Sequence, residues 1–327
     1  MKNLKHIFLL LTSLLTLSSC SGKEFNETAF YFDTYVSFKL FEGEKDDINK
    51  LKEMCEILDK LTDNYSARDI SNVYTINNSS DYVEVHPQLY QILKLSISSD
   101  LSALKYFNPL CGSLSKKWKE SLSNKKVLDQ QVISEELNKI ATSSLDLSVE
   151  NKVKRVGDAE IDLGAVAKGF ALDLFKGYFD HAGYTKYIVD AGSSSILLGE
   201  KPEGEDFKIK ISDLDNAYLN LKNCFVSTSS HSRQEVEIDG KIYSHIINPV
   251  TGSAINENDA VIVISKYGYI GDILSTAFVN ESLDSIKELE KQFDVKTIVV
   301  KNKQIAYKTE GIEVTNKWKK NIEMTSF

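Results

Sequence analysis

The stretch GAVAKGFALDLFKGYFDHAG, residues 164–183, decides the fold. Val166, Phe170, Leu174 and Tyr178 recur every four positions, the spacing of a helix that buries one stripe, and Gly183 stands where a C-cap is wanted. The segment from Val156 to Leu163 leads into it, so a strand ending at Asp162 feeds a helix whose opening turn holds Lys168 and Gly169. Short strand candidates follow at 186–190, 196–199, 207–212, 224–228, 234–238, 241–247 and 259–265, with Asp239-Gly240 as a hairpin turn. Helices around 270–280 and 282–293 and a closing hairpin near 295–308 complete this half. Antiparallel pairs mixed with packed helices make the class α+β.

Upstream, FYFDTYVSFKLF (30–41) alternates as one strand. DDINKLKEMCEILDKL puts Ile48, Leu51, Met54, Cys55, Leu58 and Leu61 on one helical face. Pro87 suits the first position of a helix that turns Leu89, Ile92, Leu93 and Ile97 inward. The lysine- and serine-rich stretch 116–148 reads as a loop with a short helix around 133–141. No internal repeat is visible, and nothing from 29 to 320 reads as a linker, so this span is expected to be one domain.

The chain has 327 residues, 42% of them hydrophobic, enough for a sizeable core. Its net charge is −8, with the acidic residues spread along it, so no basic surface is available for nucleic acid. The opening MKNLKHIFLLLTSLLTLSSC has two lysines, an apolar run from Ile7 to Leu17 and small residues ending in Cys20. This is the pattern of an export signal, too short for a comfortable span, and its end resembles a bacterial lipobox. Residues 1–19 are therefore expected to be a lipoprotein signal peptide and 20–28 a tether lipidated at Cys20. The chain would then sit on the extracytoplasmic side of the cell membrane. Cys55, Cys111 and Cys224 are widely spaced and odd in number, which suits small buried side chains rather than a disulfide framework.

Phosphate loops, Rossmann glycines, HExxH, GxSxG and CxxC are all missing from the sequence. Three other segments carry chemistry. In IDLGAVAKGF (161–170), Lys168 at a helix N-terminus suits a phosphate; a capping Asp162, a solvated lysine and close-packing glycines would give the same letters. In GDILSTAF (271–278), Asp272 and Thr276 are one turn apart and can face one hard cation, or act as cap and back-bonded hydroxyl. In YSHIINPVTG (243–252), a histidine is held by a turn of Asn248, Pro249 and Gly252, fit for a general base or for an ordinary hydrogen-bonded role.

The order DLGAVAKG, VSTSS, YSHIINPVTG, GDILSTAF resembles the ApbE family, the FAD:protein FMN transferases. FDTYVSF (32–38), YSARDISNVYTIN (65–77) and YFNPLCGSLSKKW (106–118) extend the likeness over most of the chain. The resemblance implies a single T-fold-like domain of mixed, largely antiparallel sheets with packed helices. It implies FAD as substrate and Mg2+ as cofactor, the metal held by the carbonyl of Ala165 and the side chains of Asp272 and Thr276, with Ser275 in the same turn. It makes His245 catalytic and brings Asp162 and Lys168 to FAD. Phe32, the loop Ser66, Ala67 and Arg68, the 107–114 segment with Asn108, and Val261 would line the flavin pocket. The acceptor implied is an exported or membrane redox protein offering a Thr or Ser hydroxyl.

Some positions depart from the family pattern: Asp33 for glycine, Asn108 and Asn248 for aspartate, Ser230 for glycine, and AGSSS at 191–195. None removes His245 or an expected metal ligand. FAD hydrolysis to FMN and AMP, or flavin binding without catalysis, are the alternative activities for such a site.

Overall fold

The run FYFDTYVSFKLF folds back on itself rather than continuing as one strand. In the computed structural model, which describes residues 23–316, strands β1 (Phe25–Tyr31) and β2 (Thr34–Leu40) pair antiparallel. Phe32 and Asp33 between them take positive φ of 53° and 55°, the handedness that a two-residue hairpin turn needs to match strand twist. Strict alternation is the same on both arms, so the pattern alone hides the reversal. β1 also starts inside the stretch expected as tether. The signal segment, Cys20 and residues 317–320 lie outside the described residues.

Helix α1 (Lys45–Thr62) buries Ile48, Leu51, Cys55, Leu58 and Leu61 as the periodicity predicts. An excursion follows: α2 (Val73–Asn77), β3 (Val83–Glu84), α3 (Pro87–Ser96), α4 (Gly112–Ser123), α5 (Gln130–Ala141), β4 (Ser144–Asp146) and β5 (Lys152–Val156). α3 starts at Pro87 as expected, but Ile97 is its C-cap and is exposed, because the helix ends before turning that position inward. α4 occupies the beginning of a stretch read as loop; its apolar stripe is Leu114, Trp118 and Leu122, sparse among lysines and serines.

Asp162 does not end a strand. β5 stops at Val156, and 159–163 is an extended segment whose backbone pairs with loops: Asp162 N–H donates to Pro109 O (2.8 Å) and Gly112 N–H to Glu160 O (2.8 Å). α6 (Ala167–Ala182) follows and stops at Gly183. Then come β6 (Tyr187–Ala191), β7 (Ser195–Leu198), β8 (Phe207–Lys210), β9 (Ala217–Leu221), β10 (Cys224–Ser230), β11 (Glu235–Ile238), β12 (Lys241–Ser244) and β13 (Ala260–Ser265). The chain closes with α7 (Gly268–Phe278), α8 (Leu283–Gln292), β14 (Lys296–Lys301), β15 (Gln304–Lys308) and β16 (Val314–Asn316). β9 was not anticipated; the Asp239-Gly240 turn joins β11 to β12 as expected.

The main sheet has eight strands in the order β1-β2-β6-β7-β10-β13-β14-β15, every neighbouring pair antiparallel. Its order across the sheet is its order along the chain, so the α+β class with largely antiparallel sheets stands. One face packs on α1, α6 and α7 through residues such as Phe38, Phe170, Phe175 and Phe278. The other carries Ile196, Leu198, Val226 and Ile262 and is covered by the small sheet β16-β9-β8. Val261 belongs to the helix-covered face: it is wholly buried in β13 beneath the helices. Cys55 and Cys111 are buried and Cys224 half-buried, none in a disulfide; burial pushes the thiols of Cys111 and Cys224 up to about 12, so they stay protonated and inert.

Candidate active site

Strands β7 and β10 present serines to the helix layer. Ser195 and Ser227 are direct partners across the β7–β10 pair, and both hydroxyls donate to Oδ1 of Asp272 at 2.7 Å. Oδ2 of the same carboxylate accepts Gly169 N–H at 2.7 Å from the first turn of α6. Asp272 is 6% exposed. Burial raises its carboxyl above the ordinary range, and Lys168 with the two hydroxyls pulls the other way. One turn on, Ser275 and Thr276 share Ser229: its hydroxyl lies 3.0 Å from Ser275 Oγ and 3.3 Å from Thr276 Oγ1.

Ser195, Ser229, Asp272, Ser275 and Thr276 form the floor of a cleft of about 1150 Å³. Lys168 and Ala165 enter from the start of α6, Asp162 from the segment before it, and His245 from beyond β12. Burial raises the carboxyl of Asp162, while the Gly164 N–H (2.8 Å) and Lys116, Lys119 and Lys168 lower it.

His245 sits at the start of a closed excursion of chain. Ser244 N–H donates to Ala254 O (2.8 Å) and Asn248 N–H to Ser253 O (2.8 Å), so residues 245–252 leave and rejoin within one small loop. Asn248 Oδ1 accepts Val250 N–H (2.9 Å) and Thr251 N–H (3.1 Å), which shows how asparagine keeps the turn without a charge. Gly252 has φ 68°, and a Cβ there would meet Ile133 Cγ2 at 2.4 Å. Its carbonyl accepts the indole N–H of Trp118 at 2.7 Å, and Trp118 stacks on Tyr243 with ring centroids 5.7 Å apart. His245 is exposed to the cleft.

The opposite wall is a loop pinned by one carboxylate. Asp63 accepts Tyr65 N–H (2.7 Å), Ser66 Oγ–H (2.8 Å) and Arg68 Nε–H (2.7 Å). Burial works to raise its carboxyl, and these bonds outweigh burial and hold it below the usual value. Lys116 joins this wall to the segment before Asp162, donating to Asn64 O (2.6 Å) and Glu160 (2.9 Å). Phe32 N–H donates to Asp59 Oδ1 at 2.7 Å, which aims the hairpin tip at the cleft. Asn108 Oδ1 accepts Leu110 N–H (2.9 Å), the turn contact an aspartate would also make.

Of the residues expected from sequence, the cleft gathers Phe32, Ser66, Arg68, Asn108, Asp162, Ala165, Lys168, His245, Asp272, Ser275 and Thr276. Two do not line it. Ala67 is exposed on the loop without facing the cleft, and Val261 lies in the sheet interior. Sequence reasoning assigned no role to Ser195, Ser227 or Ser229, although the serine runs AGSSS and VSTSS are conspicuous. It also missed Asn77, whose carboxamide exchanges two hydrogen bonds with the backbone of Ile161 (2.8 and 3.0 Å) and so fixes the segment bearing Asp162.

The donor set can be tested against a divalent cation. Among the described residues no group of three or more His, Cys, Asp or Glu side chains is placed to hold a metal ion, so a cage made of protein alone is not available. A carboxylate offers about four lone-pair directions, and three of those on Asp272 are taken. What remains, one carboxylate direction, the Thr276 hydroxyl and the Ala165 carbonyl, is an all-oxygen set. That fits a hard cation whose shell is completed by phosphate oxygens and water.

Comparison with known proteins bears on the family and the fold. A family model described as the ApbE family matches residues 32–299. An FAD:protein FMN transferase of Chlamydia muridarum is 25% identical over 261 residues, 76% of this chain and 81% of the relative. One from Klebsiella pneumoniae is 28% identical over 242 residues, covering 72% and 77%. Among solved structures, the ApbE protein of Thermotoga maritima superposes with TM-score 0.73 at 21% identity, over 90% of this chain and 97% of that one. The flavin transferase ApbE of Vibrio cholerae gives 0.72 at 18% identity over 88% and 97%; both likenesses concern the fold.

Proposed function

The chain belongs to the ApbE family, and on that premise we propose that it is an enzyme transferring FMN from FAD to a threonine or serine hydroxyl of a partner protein, with release of AMP. The observation that carries this reading is the convergence of Lys168, Asp272, Thr276 and His245 on one cleft from three separated segments. Relatives bearing the name FAD:protein FMN transferase support it.

FAD presents a pyrophosphate whose negative charge repels a nucleophile. The first turn of α6 brings a positive dipole end to the cleft, its Ala167 and Gly169 N–H groups being held by Leu163 O and Asp272, and Lys168 adds a full charge there. Asp272, Thr276 and the Ala165 carbonyl are the residues that would hold magnesium, which would draw charge from the pyrophosphate oxygens. The acceptor hydroxyl attacks the FMN phosphorus and its proton passes to His245. The bond from that phosphorus to the bridging oxygen breaks, and AMP leaves with that oxygen. The closed turn of 245–252, braced by Trp118, keeps the imidazole aimed while the acceptor enters.

The acceptor we infer is an exported or membrane-bound redox protein, met by an enzyme anchored through lipid on Cys20 at the outer face of the cell membrane. No helix of the described residues is long and apolar enough to cross a membrane. The test mixes the protein with FAD, magnesium and candidate acceptor domains and looks for flavin fluorescence on the denatured acceptor. A covalent label with stoichiometric AMP supports transfer; free FMN with AMP makes the enzyme an FAD hydrolase; neither product makes it a flavin binder.

A further inference from the structure

Two five-residue stretches, GFALD (169–173) and GYIGD (268–272), share a glycine, an aromatic residue and, four places beyond the glycine, an aspartate. The fold sets them face to face where α6 meets α7. Gly268 N–H donates to Oδ1 of Asp173 at 2.7 Å and Tyr269 N–H to Oδ2 at 2.8 Å. In return, Gly169 N–H donates to Asp272 at 2.7 Å. Neither helix has a side-chain cap from its own N-cap residue, Val166 or Tyr267. Each therefore has orphan first-turn N–H groups satisfied by the aspartate of the other.

The glycines make this reciprocity possible. A Cβ on Gly169 would fall 2.2 Å from Gly268 O, and one on Gly268 would fall 2.3 Å from Gly169 O. The helices thus touch backbone to backbone, and each carboxylate is one turn from that contact. The two aspartates then part ways. Asp272 faces the cleft and takes the hydroxyls of Ser195 and Ser227, whereas Asp173 does not line the cleft. A carboxylate placed outside the cleft still fixes the first turn of α7, and Asp272 stands directly on that turn.

We propose that Asp173 is a positioning residue for the transfer site, holding the first turn of α7 so that Asp272 and Thr276 keep their places on the cleft floor. This rests on the function proposed above. Its effect is on ligand geometry, in the way that groups behind metal ligands tune affinity roughly 10- to 100-fold.

The test compares Asp173→Asn, the milder change, and Asp173→Ala with a matched capping control, Ser282→Ala, which removes the N-cap bond of α8 to Ser285 N–H. All are full-length and assayed at a temperature where circular dichroism shows them folded. Hydrogen exchange at the amides of Gly268 and Tyr269 should speed up roughly tenfold in both Asp173 variants. Gly169, held by Asp272 and so affected only through it, should speed up less than those two amides. The magnesium concentration for half-maximal AMP release should rise about tenfold or more, and saturating magnesium should restore the rate. Unchanged exchange at Gly268 and Tyr269, an unchanged magnesium requirement, or an equal rise in Ser282→Ala overturns the assignment. A wild type that releases no AMP overturns the function itself; a wild type that releases it at the same magnesium dependence as Asp173→Asn overturns the positioning role alone.

Discussion

The indole N–H of Trp118 reaches the carbonyl oxygen of Gly252 at 2.7 Å across 134 positions of sequence. It joins α4, in a stretch with the composition of a loop, to the turn that carries His245. Trp118→Phe keeps the ring stacked near Tyr243 and leaves the carbonyl without its donor, which should cost about 1–3 kcal/mol. The catalytic consequence should exceed the binding one: turnover falls while the dissociation constant for FAD, read by quenching of flavin fluorescence, stays close to wild type.

Removing His245 takes the proposed proton acceptor out of the cleft while leaving its floor intact. His245→Ala is expected to slow AMP release by roughly 10²- to 10⁴-fold. FAD affinity should change little, because Lys168 and Asp272, the groups proposed to meet the phosphates, sit on other elements. Equal losses in affinity and turnover would mean that the imidazole binds FAD rather than handling the proton.

Asp272→Asn is close to isosteric and places an amide N–H₂ among three donors, Ser195, Ser227 and Gly169 N–H. Flavin transfer should drop by about 10²-fold or more, with raised magnesium not restoring it. Ser227→Ala, which leaves the carboxylate with two partners, should fall between this variant and wild type in the same assay.

Gly169→Ala tests the helix contact itself. The added methyl would overlap Gly268 O at 2.2 Å, and backbone cannot step aside as a flexible side chain would. The expected cost is about 1–3 kcal/mol or more, seen as a lower midpoint in calorimetry. Gly177→Ala on the same helix, where nothing lies within 4 Å of the new Cβ, should be neutral or stabilising by a few tenths of a kcal/mol, up to about 1 kcal/mol.

The loop wall should be sensitive to acid. The folded value of Asp63 is below its unfolded one, because the N–H groups of Tyr65 and Ser66 with the Ser66 hydroxyl and Arg68 outweigh burial. Its contribution is therefore present above the ordinary aspartate range near 3.9 and is lost as pH falls through the lower folded value. FAD affinity at pH 4 and below should decline in wild type. In Asp63→Asn it should already be weak at neutral pH and vary less over that range.

Local signals located the elements that announce themselves by period or punctuation. The stripe of α1, the Pro87 start of α3, the Gly183 end of α6 and the Asp239-Gly240 turn were all legible. The hairpin at Phe32 and Asp33 was not, because alternation carries no sign when the chain reverses and neither residue is a glycine. Nor was α4, whose three inward side chains are diluted by lysine and serine.

By itself the sequence determined the α+β class and the three chemistry-bearing segments with Asp162, Lys168, Asp272, Thr276 and His245, since these depend on residue type and short spacing; the other expected cleft residues came through the family resemblance. Only the tertiary structure decided that Val261 belongs to the core, that Ser195 and Ser227 hold Asp272, and that Asp173 and Asp272 cap each other's helices. Those relations join residues 45 to 103 positions apart. A hydrogen bond needs its partners within about 3 Å, and no local pattern records which distant strand or helix the folded chain will bring that close.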